Sequence, residues 1–239
     1  MRVTLQPTWR IILFLLILEL IFGGRLATLL SSPIQTLTTL ACLLIALTIH
    51  EFAHALAADR LGDPNPRLQG RLSLNPLHHL DPVGTLLIIT TGFGWGKPVE
   101  FDAYNLRRPI TDGALIAAAG PASNFILAAL IAIFLRFGLQ FIPTSSYTLP
   151  LMLFLVQLFS VNLSLGIFNL VPLYPLDGHH ILRALLPSSE ARHRYDAFNR
   201  HFGLIVSLLL ILPIFGGKSI ISQLTTPTFQ AFTHFLLGI

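Results

Sequence analysis

The residues most able to do chemistry form the pentapeptide His50-Glu51-Phe52-Ala53-His54. On a helix this spacing places the two imidazoles at positions i and i+4 of one face, where they can share a zinc ion. The side chain of Glu51 projects about 100° away from His50 around the helix. A carboxylate beside the metal can take a proton from an activated water, so the pattern predicts a zinc site with Glu51 as general base.

The same pattern also recurs by chance on the solvated helix faces of soluble proteins. Here it lies in the later half of an apolar segment, residues 37–58. Two histidines and a glutamate are expensive at that depth unless they are paired or coordinate a metal. The apolar context therefore favours a metal site over a chance match.

A third ligand is required, because a catalytic zinc usually takes three protein ligands and leaves one position open. Asp177 is the best candidate, since it ends the proline-interrupted stretch Asn169–Gly178 and a broken helix at membrane depth is tolerated where it lines a cavity. Asp177 could also cap the helix that begins at Gly178, and both roles are compatible. His179 and His180 are rival ligands, which we expect to support the site or lie at the interface.

Composition indicates which elements must position these residues. The 239-residue chain is 53% hydrophobic and 11% charged, whereas soluble domains carry roughly 25% charged residues. One span needs about 20 apolar residues, so we expect an all-α integral membrane protein with about five to six transmembrane helices. Residues 1–239 would form a single domain with a core at about 34–187 and accessory spans at 8–30 and 201–239. The one cysteine, Cys42, excludes an intrachain disulfide and a thiolate metal cage.

The apolar segments predict the individual spans, which are residues 11–30, 37–58, 112–135, 151–171 and 201–215. The last segment, 225–239, is short and is expected on the surface or as a half-span. Residues 82–95 are apolar but too short to cross, so we interpret them as a re-entrant segment or β-hairpin between spans two and three. Residues 1–22 have the start of a signal peptide without its cleavage site, which predicts a retained first span.

The distribution of basic residues tests this layout, because Lys and Arg concentrate in short cytoplasmic loops. If residues 82–95 are re-entrant, 12 of the 15 Lys and Arg lie on one side, and Arg25, Arg136 and Lys218 lie on the other. If the same segment crossed, the bias would vanish. The pattern predicts a cytoplasmic N-terminus and a site toward the cytoplasmic side. The scattered basic residues do not indicate a nucleic-acid partner.

Three motifs occur in order along the chain: HEFAH at 50–54, GPASN at Gly120–Asn124, and NLVPLYPLDG at Asn169–Gly178. Together they resemble the signatures of the site-2 protease family. The stretches GRLSLNPLHHLDPVGTLL and GFGWGKPVEFDAYNLRRP are similar to its compact bacterial members, which lack PDZ and CBS domains. The resemblance covers residues 45 to 185.

The resemblance implies a zinc ion held by His50, His54 and Asp177, with Glu51 as the general base. It also implies that Asn124 and Asn169 lie near the substrate main chain. From the residues alone, each asparagine could instead be an interhelical hydrogen-bonding group. The family more often has a small or basic pair after Asp-Gly, so the pair His179-His180 is a departure from its pattern.

The function implied is zinc-dependent hydrolysis of transmembrane proteins or peptides within or near the bilayer of a bacterial cytoplasmic membrane. Regulated intramembrane proteolysis and clearance of signal-peptide remnants are the two roles this suggests. A hairpin between residues 85 and 101 could offer an edge strand to an extended substrate. The alternatives are a membrane ion or metal transporter that uses the same cluster, and a protease-derived binding protein without activity.

Overall fold

The computed structural model of the chain describes residues 31–85, 95–138, 141–142, 145, 147–211 and 219–237. Over those ranges the secondary structure is helical, which confirms the predicted all-α class. The α-helices are α1 (Pro33–Leu61), α2 (Asn65–Leu68), α3 (Pro109–Ile133), α4 (Thr148–Asn169), α5 (Gly178–Leu185), α6 (Ser189–Phe198), α7 (Leu204–Ile211) and α8 (Ile220–Leu237). A π-helical turn at Phe134–Gly138 extends α3, and another at Asn199–Gly203 joins α6 to α7.

Three of these helices are long and apolar enough to cross a bilayer: α1, α3 with its π-helical extension, and α4. They coincide with the spans predicted at 37–58, 112–135 and 151–171, and they identify a membrane protein. The first predicted span, 11–30, lies outside the described residues, as do most of 82–95 and the end of 201–215. The total number of spans therefore stays a prediction.

Prolines and a glycine set the bounds of the helices that carry the candidate site. α1 and α3 begin with Pro33 and Pro109, whose missing N–H falls where a helix has no internal acceptor for it. α1 ends at Gly62, which has φ of 114°, a left-handed conformation that glycine adopts without steric penalty. α4 ends just before the proline-rich loop that leads to Asp177.

The core lies where α1, α3 and α4 pack against one another. Small side chains line the contact, and Cys42, Ala46, Ala128 and Ala132 are fully buried. In lipid, small residues allow helices to approach closely and gain van der Waals contact. Large apolar side chains on the outer faces, such as Leu130 and Leu153, are exposed and are suited to contact with lipid.

The connection between α1 and α3 is held by two buried charged side chains. Asp63 accepts hydrogen bonds from the backbone N–H of Asp102 at 2.6 Å and from Asn105 Nδ2 at 2.8 Å. The guanidinium of Arg71 donates to backbone carbonyls, including that of His78. The bonds of Asp63 tie the later part of the connection to the end of α1, and those of Arg71 link separate parts of the connection to one another.

The expected hairpin in this connection falls largely outside the described residues. Among those that are described, Leu80 and Gly96 form an isolated antiparallel bridge, and residues 97–100 have no regular secondary structure. A hairpin over 85–101 therefore stays a prediction.

Among the helices that follow Asp177 in the sequence, α5 and α8 pack against the core helices. α5 packs against α3, and α6 continues through its π-helical turn into α7. The predicted half-span 225–239 corresponds to α8, which contains Pro227 and contacts α4, α7 and α3.

Candidate metal centre

α1 presents His50 and His54 on one face, as their spacing predicts. Their ring centroids lie 4.6 Å apart, the rings are nearly perpendicular, and the two Nε2 atoms are separated by 3.0 Å. Both side chains are buried. The two nitrogens therefore converge on one point inside the helix bundle.

The loop after α4 brings Asp177 to the same point. Its Oδ2 atom lies 3.1 Å from Nε2 of His50 and 3.3 Å from Nε2 of His54. In the described part of the chain, these three residues form the group of His, Cys, Asp and Glu side chains that could hold a metal ion. Residues from opposite ends of the core are thus assembled by the packing of α1 against the α4–α5 connection.

Side chains from the C-terminal helices hold the loop that carries Asp177. The Tyr174 N–H donates to Asn199 Oδ1 at 2.9 Å, and the Tyr174 carbonyl accepts from Ser207 Oγ at 2.8 Å. The Tyr195 hydroxyl donates to the Pro172 carbonyl at 2.7 Å. Because a proline-rich loop cannot satisfy its own backbone groups as a helix does, these bonds replace the missing ladder.

The outer nitrogen of each imidazole identifies its tautomer. His54 Nδ1 lies 2.7 Å from the Ile116 carbonyl, which can only accept, so this nitrogen must carry the hydrogen. His50 Nδ1 lies 2.6 Å from Asn124 Oδ1, also an acceptor. In both neutral rings the hydrogen is therefore on Nδ1, and the Nε2 atoms direct lone pairs toward Asp177.

This donor set fits a zinc ion. Two Nε2 lone pairs and a carboxylate oxygen face one another, and Asp177 Oδ2 is buried without a hydrogen-bond donor among the described residues. Such an arrangement is repulsive unless a cation lies among the three atoms. Zinc bonds of about 2.0–2.2 Å in tetrahedral geometry separate ligand atoms by about 3.3 Å, close to the three observed separations.

Gly120 of α3 lies directly against the imidazoles. A Cβ atom added there would overlap His54 Nε2 and the Cε1 atoms of both histidines, with no room for a methyl group. The first residue of the GPASN motif is therefore needed for close approach of α3 to the site. This steric role was not predicted from the motif, because spacing along the sequence does not reveal which helix face meets the histidines.

Glu51 lies next to His50 on α1 and is buried, with 8% of its surface exposed. Among the described residues, no hydrogen bond or ion pair engages its carboxylate. A carboxylate held close to the convergent ligands and free of a cationic partner can accept a proton from a water. The geometry is compatible with the general base predicted from the pentapeptide.

Asn124 is fully buried, and both ends of its amide are used between helices. Besides accepting from His50, it donates through Nδ2 to the Ala46 carbonyl at 3.1 Å and to Asn162 Oδ1 at 2.9 Å. This is the interhelical arrangement that the residues alone left open. Contact between Asn124 and the substrate main chain stays a prediction.

Asn169 is the last residue of α4. Its Nδ2 donates to the Leu165 carbonyl one turn earlier at 3.0 Å, and its side chain is half-buried. Its predicted contact with substrate also stays a prediction.

His179 and His180 lie outside the group of three ligands. His179 stacks on Tyr195 with ring centroids 5.0 Å apart, and His180 lies 6.3 Å from the ring of Phe101. Desolvation by neighbouring atoms lowers the pKa of His179 and also that of His180, which keeps an exposed edge. The two histidines lie beside the candidate ligands but outside their group, and the expectation that they support the site stays a prediction.

Comparison with known proteins identifies relatives of this chain. The family model described as "Peptidase family M50" matches residues 143–214. The "Putative zinc metalloprotease YwhC" of Bacillus subtilis is 38% identical over 183 residues, which are 73% of this chain and 80% of the relative.

Two further relatives carry similar names. The "Putative zinc metalloprotease Rip2" of Mycobacterium tuberculosis is 31% identical over 82% of this chain and 77% of its own length. The "Zinc metalloprotease MJ0392" of Methanocaldococcus jannaschii is 38% identical over 42% of this chain and 27% of its own length. No solved structure matches the chain.

Proposed function

Because this chain belongs to peptidase family M50, the site-2 protease family, we propose that it hydrolyses peptide bonds of transmembrane proteins within or beside the bilayer. It is a membrane zinc metalloprotease.

The position of the candidate site along the membrane helix α1 supports this proposal. His50 lies nine residues before Asp59 on the membrane helix α1, which is roughly 13 Å at 1.5 Å per residue. Counted from Asp59 and Arg60, which are charged and suited to the membrane surface, His54 lies about 8 Å and His50 about 13 Å along the span, which supports a site within the membrane. A scissile bond that reaches them must enter the hydrocarbon region or a cavity open to it.

We assign the zinc ligands as His50, His54 and Asp177. The chemistry that zinc supplies in such a site is polarisation of the scissile carbonyl and acidification of a water. The carboxylate of Glu51 accepts the proton from that water and delivers it to the nitrogen of the leaving amine. The hydrogens stay on the Nδ1 atoms of the two histidines, which donate to Asn124 Oδ1 and the Ile116 carbonyl, so both rings keep one tautomer throughout.

The substrate must be extended when it is cut, because the carbonyls of an intact helix are already occupied by backbone hydrogen bonds. Asn169 lies at the end of α4, before the loop that carries Asp177, and we propose that its amide contacts the substrate main chain. Asn124 has less freedom to do so, since its amide is engaged between helices. Because the substrate must be extended, we expect the protein to prefer substrate helices that unwind easily.

The orientation in the membrane follows from the basic residues. Most Lys and Arg lie on the side where α1 ends and α3 begins, so we propose that this side is cytoplasmic and that the membrane is a bacterial cytoplasmic membrane. The single protease domain would then receive substrates from the bilayer, with access to cytoplasmic water near Asp177.

A test compares Glu51→Gln with wild type in proteoliposomes that contain a model single-span substrate with Asn-Gly-Pro at mid-span. Wild type should cut near the middle of the span, as located by mass spectrometry, and a matched poly-Leu span should be spared. Glu51→Gln should retain zinc and lose cleavage by about 100- to 10,000-fold, because general-base catalysis is removed. Glu190→Gln, on exposed α6, is the control that should cut normally.

Two outcomes would contradict the proposal. Cleavage confined to soluble flanks of the substrate would refute the site of action within the bilayer. Full cleavage by Glu51→Gln would refute its role as the base. The transporter alternative predicts a zinc flux that survives in Glu51→Gln, which the same vesicles can measure with a zinc-sensitive dye.

A further inference from the structure

A chain of amide hydrogen bonds crosses the three core helices and ends on a metal ligand. It runs from His50 on α1 to Asn124 on α3 and then to Asn162 on α4. Asn124 and Asn162 both have none of their surface exposed. A buried amide in an apolar helix contact is expensive unless all its groups are satisfied, so each bond in this chain constrains the next.

The direction of the chain is set by two backbone carbonyls, those of Leu158 and Ala46. Asn162 Nδ2 donates to the Leu158 carbonyl at 2.8 Å, which leaves Asn162 Oδ1 as an acceptor facing α3. Asn124 must then place its Nδ2 toward two acceptors, Asn162 Oδ1 and the Ala46 carbonyl. Its Oδ1 is thereby directed at His50, and only a hydrogen on His50 Nδ1 completes the pair.

We propose that Asn162 is a positioning residue for the metal centre, which it serves by selecting the zinc-binding tautomer of His50 through Asn124. The proposal rests on the zinc site assigned above. Without Asn162 Oδ1, only the Ala46 carbonyl still holds the Asn124 NH2 group in place, and the amide turns over more easily to present that group to His50 Nδ1. His50 would then carry its hydrogen on Nε2, the atom that faces Asp177, and could not bind zinc there.

His54 provides an internal contrast. Its Nδ1 donates to the Ile116 carbonyl, a backbone group that cannot exchange donor for acceptor. The tautomer of His54 is therefore independent of any other side chain, whereas that of His50 depends on two. Asn162 should consequently affect one ligand and leave the other unchanged.

The test uses three full-length variants purified in detergent. Asn162→Leu is nearly isosteric but removes the acceptor. Asn162→Asp should restore it, because a carboxyl buried among apolar helices stays protonated and can donate to the Leu158 carbonyl while accepting from Asn124. Gln157→Leu is the control, since Gln157 also links α4 to α1, through Thr39 Oγ1 at 2.8 Å, but has no bond to His50.

Two readouts are measured on each variant: zinc affinity by competition with a chelator, and the tautomer of His50 in the zinc-free protein by 15N NMR of labelled histidine. Asn162→Leu should weaken zinc binding by about 10- to 100-fold and shift the His50 signals toward the Nε2–H form. Asn162→Asp should remain within about threefold of wild type, and Gln157→Leu should match wild type in both readouts. If Asn162→Leu does not yield folded protein, Asn162→Ala removes the same acceptor.

Unchanged zinc affinity and tautomer in Asn162→Leu would overturn the proposal. Equal weakening in all three variants would also overturn it, because that result indicates a general effect of helix packing. Failure of the zinc site itself is distinguishable, since wild type would then bind no zinc and His50→Ala would behave like wild type.

Discussion

The two halves of the metal centre are held by different kinds of structure. His50 and His54 are one turn apart on a 29-residue membrane helix, and each outer nitrogen is hydrogen-bonded inside the bundle. Asp177 follows a loop with no helical ladder of its own, and side chains of α6, α7 and the π-helical turn between them bond the backbone of that loop. The histidine half is thus preorganised by one helix and by its packing against the core helices, whereas the aspartate half depends on residues that follow it in the chain.

This difference indicates which half of the candidate centre tolerates small structural changes. Moving a helix that is packed on two sides disturbs the whole core, so the histidine half should tolerate little change. A loop held by a few hydrogen bonds can shift by small amounts at lower energetic expense. Substitutions that act on the two halves should therefore differ in size, and the following predictions test that order.

The largest effect is expected at Gly120, on the histidine half. Gly120→Ala places a methyl group into the imidazole of His54, so the ring or the helix must move and zinc affinity should fall by about 100-fold. Chelator competition measures this loss.

Gly113→Ala is the matched control on the same helix. A Cβ atom there would meet the ring of Phe101 at 3.7 Å, an ordinary contact distance, so zinc affinity should remain within about threefold of wild type. Equal losses in the two variants would mean that an added methyl group anywhere on α3 disturbs the site, and that the overlap with the imidazoles is not the cause.

An intermediate effect is expected at Asn199, on the aspartate half. Asn199→Leu leaves the Tyr174 N–H without its acceptor, which should destabilise the fold by about 1–3 kcal/mol and weaken zinc binding by about tenfold through displacement of Asp177. Thermal unfolding with and without zinc measures both. Asn199→Asp keeps an acceptor for Tyr174 and should recover most of the zinc affinity; if it does not, the loop is not held through this bond.

The smallest effect is expected at Tyr195. Tyr195→Phe removes the hydrogen bond to the Pro172 carbonyl but retains the ring that stacks on His179. Since that bond lies near the surface, we expect a loss of about 0.5 kcal/mol in stability and less than threefold in zinc affinity. A loss as large as that of Asn199→Leu would show that the hydroxyl contributes as much as the buried amide, contrary to the comparison.

The same contrast explains what the sequence could predict. The positions of His50, Glu51 and His54 follow from helical periodicity, and Asp177 follows from the topology that returns the α4–α5 loop to the same side. Asn162 was missed, although a polar residue within an apolar span is a signal that could have identified it. The bonds from Asn199 and Ser207 were not predictable, because their partners are backbone groups of a loop whose path depends on the tertiary fold.

Span prediction succeeded where the apolar runs were long and bounded by proline or glycine. α1, α3 and α4 lie where the hydrophobic runs predicted them, with differences of a few residues at their ends. Short or interrupted apolar runs, such as 82–95, contain too little periodic signal to separate a re-entrant segment from a hairpin.

We propose that His50, His54 and Asp177 jointly hold one zinc ion, and the zinc content of each chain decides whether they do. Detergent-purified wild type, His50→Ala, Asp177→Ala and the control Asp196→Asn are measured by elemental analysis after equilibration with a slight excess of zinc and removal of the unbound metal. We expect about one zinc per chain in wild type and in the control, and almost none in the two ligand variants. Full zinc content in Asp177→Ala, or none in well-folded wild type, would contradict it.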